Sequence, residues 1–134
     1  MTELPELVVD ASALVDLLVS PELGPRVAAA LEGHQLHAPC HIDAEALSAL
    51  ARMTRAGITG ESHVSRCLKA VATAPIERHP IQPLLEAAWG FRDNLRVLDA
   101  LYVTLAQRRV CPVLTTDSRL AAAAPASTRL IEAD

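Results

Sequence analysis

The sequence predicts an α/β domain built on a mostly parallel sheet, and three observations lead there. Short apolar runs such as Leu7-Val8-Val9 and Pro112-Val113-Leu114-Thr115 lack the polar alternation of a half-solvated strand and read as strands buried on both faces. Between the runs lie segments with apolar residues at helical spacing, and strands that alternate with helices make a parallel sheet. The 134 residues, 51% of them hydrophobic, suffice for one core and are too few for two, so a single domain over 1–134 is expected.

The first strand, at 7–9, ends at Asp10, and Ala11-Ser12-Ala13-Leu14-Val15-Asp16-Leu17-Leu18 turns to helical spacing at once. A second helix runs through 26–31, with Pro25 suited to its first turn and Gly33 to its end. Residues 36–38 read as the second strand, closed by Pro39. Asp43 is placed to cap a helix that continues to about Ala56 and stops at Gly57. After Gly60, Val64, Cys67, Leu68 and Val71 form an apolar stripe at i, i+3, i+4, i+7. Residues 76–79 suit a short strand between prolines, and 83–91 look helical. The segment 97–109, VLDALYVTLAQRR, is apolar nearly all round, as in a helix buried on most sides, with Arg108 and Arg109 complementing the dipole at its end. A strand at 112–115, an Ala-rich turn of helix and an edge strand at 128–131 complete the chain.

Composition excludes several classes. No apolar run approaches the roughly 20 residues of a membrane helix. The acidic start, Met1 to Glu6, is unlike a signal or transit peptide, so a soluble cytoplasmic protein is expected. Cys40, Cys67 and Cys111 are odd in number and widely spread, which fits reduced, buried thiols. A net charge of −4 and only 2% aromatic residues speak against a broad phosphate-binding surface and against base-stacking platforms.

The carboxylates point elsewhere. Asp10 and Asp117 each follow a strand, at the edge where open α/β sheets bind ligands. Asp99 sits in the first turn of an apolar helix, where a bare carboxylate is costly. Glu45 stands early in its helix, on a side shared with Ala49 and Arg52 and away from Leu47 and Leu50. Together the four would make an all-oxygen site for Mg²⁺ or Mn²⁺, suited to metal-assisted phosphodiester hydrolysis. Each has a structural alternative: Asp10 and Asp117 as helix caps, Asp99 as part of a reciprocal capping arrangement, Glu45 as a solvated helix carboxylate. Asp16 and Asp93 read as surface charge.

With these residues in view, the chain resembles the PIN-domain ribonucleases, and among them the VapC-type toxins of bacterial toxin–antitoxin modules, over nearly its whole length. LVVDASALVDLL is similar to the first motif of the family, with Asp10 as metal-binding aspartate and Ser12 as its hydroxyl neighbour. APCHIDAEALSAL resembles the second and supplies Glu45. LRVLDALYVTLAQRR is close to the third and supplies Asp99, and VLTTDSRLA resembles the last, with Asp117 and the supporting Thr115. The chain departs from the pattern before Asp99, where a capping Ser or Thr is replaced by Arg96-Val97-Leu98, leaving Asp93 and Asn94 as the nearest polar caps.

The resemblance implies a PIN-like three-layer sandwich, a sheet of about five mostly parallel strands flanked by helices. It implies an Mg²⁺- or Mn²⁺-dependent endoribonuclease that cuts a structured RNA, a tRNA or rRNA, and a cognate VapB-type antitoxin that blocks the site. It also implies a homodimer, or a larger toxin–antitoxin assembly. On this reading Asp10, Asp99 and Asp117 hold the metal and Glu45 completes the shell or orients water. Arg119 would contact phosphate or balance charge, with Ser12 and Thr115 as supporting hydroxyls, and Arg52, Arg55, Arg92 and Arg96 are further RNA contacts. The alternative is a catalytically weak PIN-fold module that binds RNA or a partner. The stretch from His34 to His41 carries zinc-ligand residue types, but their spacing matches no common zinc pattern.

Overall fold

Strand β1 (Glu6–Val9) runs through the middle of a five-stranded sheet with β2 (Gln35–Pro39), β3 (Ile76–His79), β4 (Val113–Thr115) and β5 (Thr128–Leu130), in the order β3-β2-β1-β4-β5. Every pairing is parallel. The computed structural model describes residues 3–134; Met1 and Thr2, the start of the acidic N-terminal segment, lie outside the described residues. Leu7, Val8 and Val9 are wholly buried, which is why this strand is apolar without alternation.

Among the described residues seven helices flank the sheet: α1 (Ala11–Val19), α2 (Leu23–Leu31), α3 (Ile42–Arg55), α4 (Glu61–Thr73), α5 (Leu85–Trp89), α6 (Val97–Arg109) and α7 (Ser118–Ala123). Strand alternation separates two faces. Arg78 of β3 reaches Asp43 of α3 and a carbonyl of α4 on one side, whereas Glu6 of β1, on the opposite parity, meets Arg109 of α6 on the other. The result is the α/β sandwich expected from the sequence. Seven consecutive residues of α6, Ala100 to Ala106, are buried, as its all-round apolarity requires. Tyr102 alone among the aromatics is in the core to its full depth, and Leu, Val and Ala fill the rest.

Sequence and structure part at four places. Helix α3 begins at Ile42, so Asp43 lies inside its first turn, and Asp43 is taken by Arg78 rather than by the backbone. The stretch 83–91 divides into a 3₁₀ turn at Gln82–Leu84 and the short α5. Neither Asp93 nor Asn94 caps α6; its N-cap is Arg96, which makes no side-chain cap bond. Of the three free cysteines only Cys67 is buried, and Cys40 is exposed. Among the described residues no helix is long and apolar enough to cross a membrane.

From β1 the chain moves outward to β2 and β3, then returns to lay β4 and β5 on the other side. The carboxyl ends of β1 and β4 are therefore adjacent at the point where strand order reverses, and a crevice opens there.

Candidate functional site

That crevice is a cavity of about 300 Å³, and Asp10, Glu45, Asp99 and Asp117 all line it. Asp10 and Asp117 arrive as the N-caps of α1 and α7, so the capping role and the pocket role fall on the same residues. The Asp10 carboxylate accepts hydrogen bonds from the Ala13 amide (2.9 Å), the Ser12 hydroxyl (2.7 Å) and the Thr115 hydroxyl. The same Ser12 hydroxyl accepts from the Thr116 amide at 3.2 Å, and Thr115 accepts from the Asp117 amide at 3.0 Å. Ser12 and Thr115 thus tie the ends of β1 and β4 together, as supports of the carboxylates. Asp117 accepts from the amides of Arg119 and Leu120.

Asp10 is only 4% exposed and has no arginine or lysine partner. Burial pushes its carboxyl up to about 6 against the pull of three hydrogen bonds, and the nearby Asp99 charge adds to the rise. Asp99 is raised too, first by burial and then by Asp117 and Glu45, with Arg96 opposing. The lining sets five carboxylates, Asp16 included, against three arginines.

Glu45 is held differently. Burial raises its carboxyl, but hydrogen bonds from His41 and Tyr102 outweigh it and keep the group below its ordinary range. The Tyr102 hydroxyl donates to Glu45 at 2.7 Å. His41 Nε2 lies 3.2 Å from the same oxygen and 3.1 Å from the Leu98 carbonyl, two acceptors that fix its proton on Nε2. The rings of His41 and Tyr102 pack together, 4.7 Å between centroids.

The arginines rank differently from the sequence expectation. Arg96 Nε is 3.2 Å from Asp99, and Arg119 is 3.2 Å from Asp117, so both balance charge in the pocket. Arg52 also lines it, hydrogen-bonded to Ser48. Arg55 is not among the lining residues, and Arg92 stacks on Trp89 instead. The capping-box alternative for Asp99 fails, because its partner is the side chain of Arg96.

Asp16 and Tyr102 line the cavity but escaped the sequence reading, as did His41, which holds Glu45 from outside that lining. Asp16 lines the cavity and accepts from Thr116 at 2.6 Å. Helical spacing carried a signal for all three, since Asp16 follows Ser12 by four residues, Glu45 follows His41 by four, and Tyr102 follows Asp99 by three.

The four carboxylates share a pocket without closing into a ligand shell. Among the described residues, the one group of three or more His, Cys, Asp or Glu side chains with ligand atoms all within 4.8 Å of one another is His37, Glu77 and His79, on β2 and β3. Arg96 pairs with Asp99 and Arg119 with Asp117 within the same pocket. The donors nevertheless fit a hard divalent ion: they are oxygens throughout, and the most buried of them is a carboxylate with no cationic partner.

An acidic crevice at the switch point of a five-stranded parallel sheet defines a class, and the family model described as PIN domain matches residues 7–125: the chain belongs to the PIN-domain family. Its relatives are VapC-type toxins. It is 48% identical over 123 residues to Ribonuclease VapC3 of Mycobacterium tuberculosis, covering 91% of this chain and 90% of that one. It is 32% identical over 115 residues to Ribonuclease VapC12 of the same organism, covering 86% and 89%. The crystal structure of PAE2754 from Pyrobaculum aerophilum superposes with a TM-score of 0.67 at 26% identity, covering 96% of this chain and 83% of that chain. Mycobacterium tuberculosis VapC20, described as a sarcin-ricin loop cleaving toxin, shares the fold with a TM-score of 0.64 at 15% identity, over 87% and 94%.

Proposed function

We propose that this chain, acting as one domain over residues 1–134, is the endoribonuclease toxin of a toxin–antitoxin pair and hydrolyses a structured RNA, a tRNA or rRNA, with Mg²⁺ or Mn²⁺. The observation that carries this is the convergence of Asp10, Glu45, Asp99 and Asp117 on one cavity in which the most buried carboxylate, Asp10, has no cationic partner. Relatives that are named ribonucleases, at up to 48% identity over most of the chain, support the same activity.

Asp10, Asp99 and Asp117 would hold the ion. When bound, a divalent ion supplies Lewis acidity, offsetting charge that accumulates on the phosphodiester and making a water more acidic. Ser12, Thr115 and the Ala13 amide keep Asp10 turned toward the cavity. Tyr102 and His41 hold Glu45 ionised, so that its carboxylate can accept a proton from the attacking water. Arg96 and Arg119 line the same cavity, where their guanidiniums could grip a phosphate. With net charge −4 and few aromatics, recognition rests on RNA shape and a few arginines.

A VapB-type antitoxin is the partner this reading calls for, and a cytoplasmic homodimer the working state, alone or in a larger toxin–antitoxin assembly. The decisive assay is cleavage of total tRNA and rRNA by the purified chain with Mg²⁺, Mn²⁺ or EDTA, beside Asp99→Asn. Cleavage that requires the metal and is lost in the variant is expected. Full activity in Asp99→Asn, with contaminating nuclease excluded, would overturn it; RNA binding without cleavage in the parent chain would favour the weak binding module.

A further inference from the structure

The second cluster of ligand-type side chains lies on β2 and β3 and shares no residue with the acidic pocket. Strand register builds it. Val8 stands beside His37 and His37 beside Glu77, so Glu6, His37, Glu77 and His79 leave the same face of the sheet. Arg78 leaves the other face, where Asp43 and the carbonyls of Val71, Ala74 and Ile76 hold it. A one-residue slip of β3 would exchange these faces, and the Arg78 network prevents it.

His37 Nδ1 is 3.0 Å from His79 Nε2 and 3.3 Å from a Glu77 carboxylate oxygen. A tetrahedral ion bonded to each at about 2.0–2.1 Å would set its ligands about 3.3 Å apart, so the spacing fits.

One tautomer of His37 leaves its Nδ1 able to ligate. His37 is wholly buried, and a neutral imidazole has one N–H for two nitrogens. Nδ1 faces Glu77, whereas Nε2 lies 3.4 Å from the Glu6 carboxylate and makes no hydrogen bond. With the proton on Nε2, that N–H points at Glu6, and the Nδ1 lone pair faces the space shared with Glu77 and His79. A cation bound to Nδ1 would take that lone pair together with the Glu77 oxygen and the His79 nitrogen. Arg109 orients the Glu6 carboxylate by gripping both its oxygens at 3.0 and 2.9 Å. A carboxylate behind a ligating histidine is the arrangement that fixes tautomer and ring orientation at metal sites.

We propose that His37 Nδ1, His79 Nε2 and the Glu77 carboxylate form a binding site for one Zn²⁺-type cation, with Glu6 as the carboxylate behind His37. Two imidazole nitrogens and one oxygen select a borderline ion over Mg²⁺, which prefers oxygen alone. The fourth position falls to water, since Glu77 is 63% exposed. The ion ties the edge strand β3 to β2. Of the His34 to His41 stretch only His37 takes part, and its ligand partner His79 lies 42 residues further along the chain.

The test is titration of the metal-free full chain with Zn²⁺ in excess Mg²⁺, with Co²⁺ as a visible-absorption probe of four-coordinate geometry. One equivalent should bind the parent chain and raise its Tm. His79→Gln should abolish that uptake, Glu77→Gln should weaken it at least tenfold, and Glu6→Gln should weaken it about 10–100-fold. Asp99→Asn should leave it unchanged. His79 and Glu77 are solvent-accessible, so those variants should fold, and circular dichroism of the metal-free forms verifies it. Absence of Zn²⁺ uptake by the parent chain would overturn the proposal. So would uptake that survives His79→Gln and disappears in Asp99→Asn.

Discussion

At Asp10 three hydrogen bonds favour the carboxylate and burial opposes it, and burial prevails, with the carboxyl pushed up to about 6. The folded, metal-free chain therefore binds this proton more tightly than the unfolded chain, whose Asp titrates near about 3.9. The stabilisation is complete below about pH 4 and is lost as pH rises through about 6, a change on the order of 3 kcal/mol. Thermal melts in EDTA from pH 4 to 8 should show stability falling across that window in the parent chain and a flatter profile in Asp10→Asn. A steeper fall in the variant would contradict this reading of Asp10. Glu45 carries the opposite sign, since His41 and Tyr102 hold it low. In Tyr102→Phe the acid limb of the cleavage pH profile should move to higher pH, with a loss of about tenfold in rate near that limb. The acids themselves were legible because each sits where secondary structure begins: Asp10 and Asp117 after strands, Asp99 and Glu45 in first turns. Tyr102 was not, because its role depends on a contact between elements, reaching across 57 residues to Glu45.

Helix α6 was readable to the residue, since an apolar run with arginines at its end admits little else. Strand β3 was equally plain between its prolines, although half its meaning lay elsewhere. Arg78 has the residue pattern of a solvated charge, yet it binds Asp43 and three carbonyls, which is also why Asp43 does not cap α3. Arg78→Ala should cost about 2 kcal/mol and loosen β3, as read by denaturant unfolding and by amide exchange at Ile76 to His79. The end of α6 holds a local strain. Val110 takes φ 55° in the left-handed region, where a β-branched side chain is disfavoured, and it is 90% exposed, so no packing compensates. Val110→Gly is expected to stabilise the chain by about 1 kcal/mol in urea unfolding, and a lowered midpoint would show that the turn draws support from the valine.

For the whole molecule, the strand order turns four separated acids into one site. Reversal at β1 sets the ends of β1 and β4 side by side, and α3 and α6 bring Glu45 and Asp99 to the same crevice. Composition alone argues against a nucleic-acid enzyme, with net charge −4. The placement of the charge changes that inference, because part of it is gathered where a divalent ion would offset it. Arg119, read from the sequence as a phosphate contact or charge balance, pairs with Asp117, and Arg96 pairs with Asp99. The most direct measurement is anomalous diffraction from crystals of this chain grown with Mn²⁺. The account predicts an Mn²⁺ peak among Asp10, Asp99 and Asp117. An Mn²⁺-free crevice at saturating Mn²⁺ would contradict it.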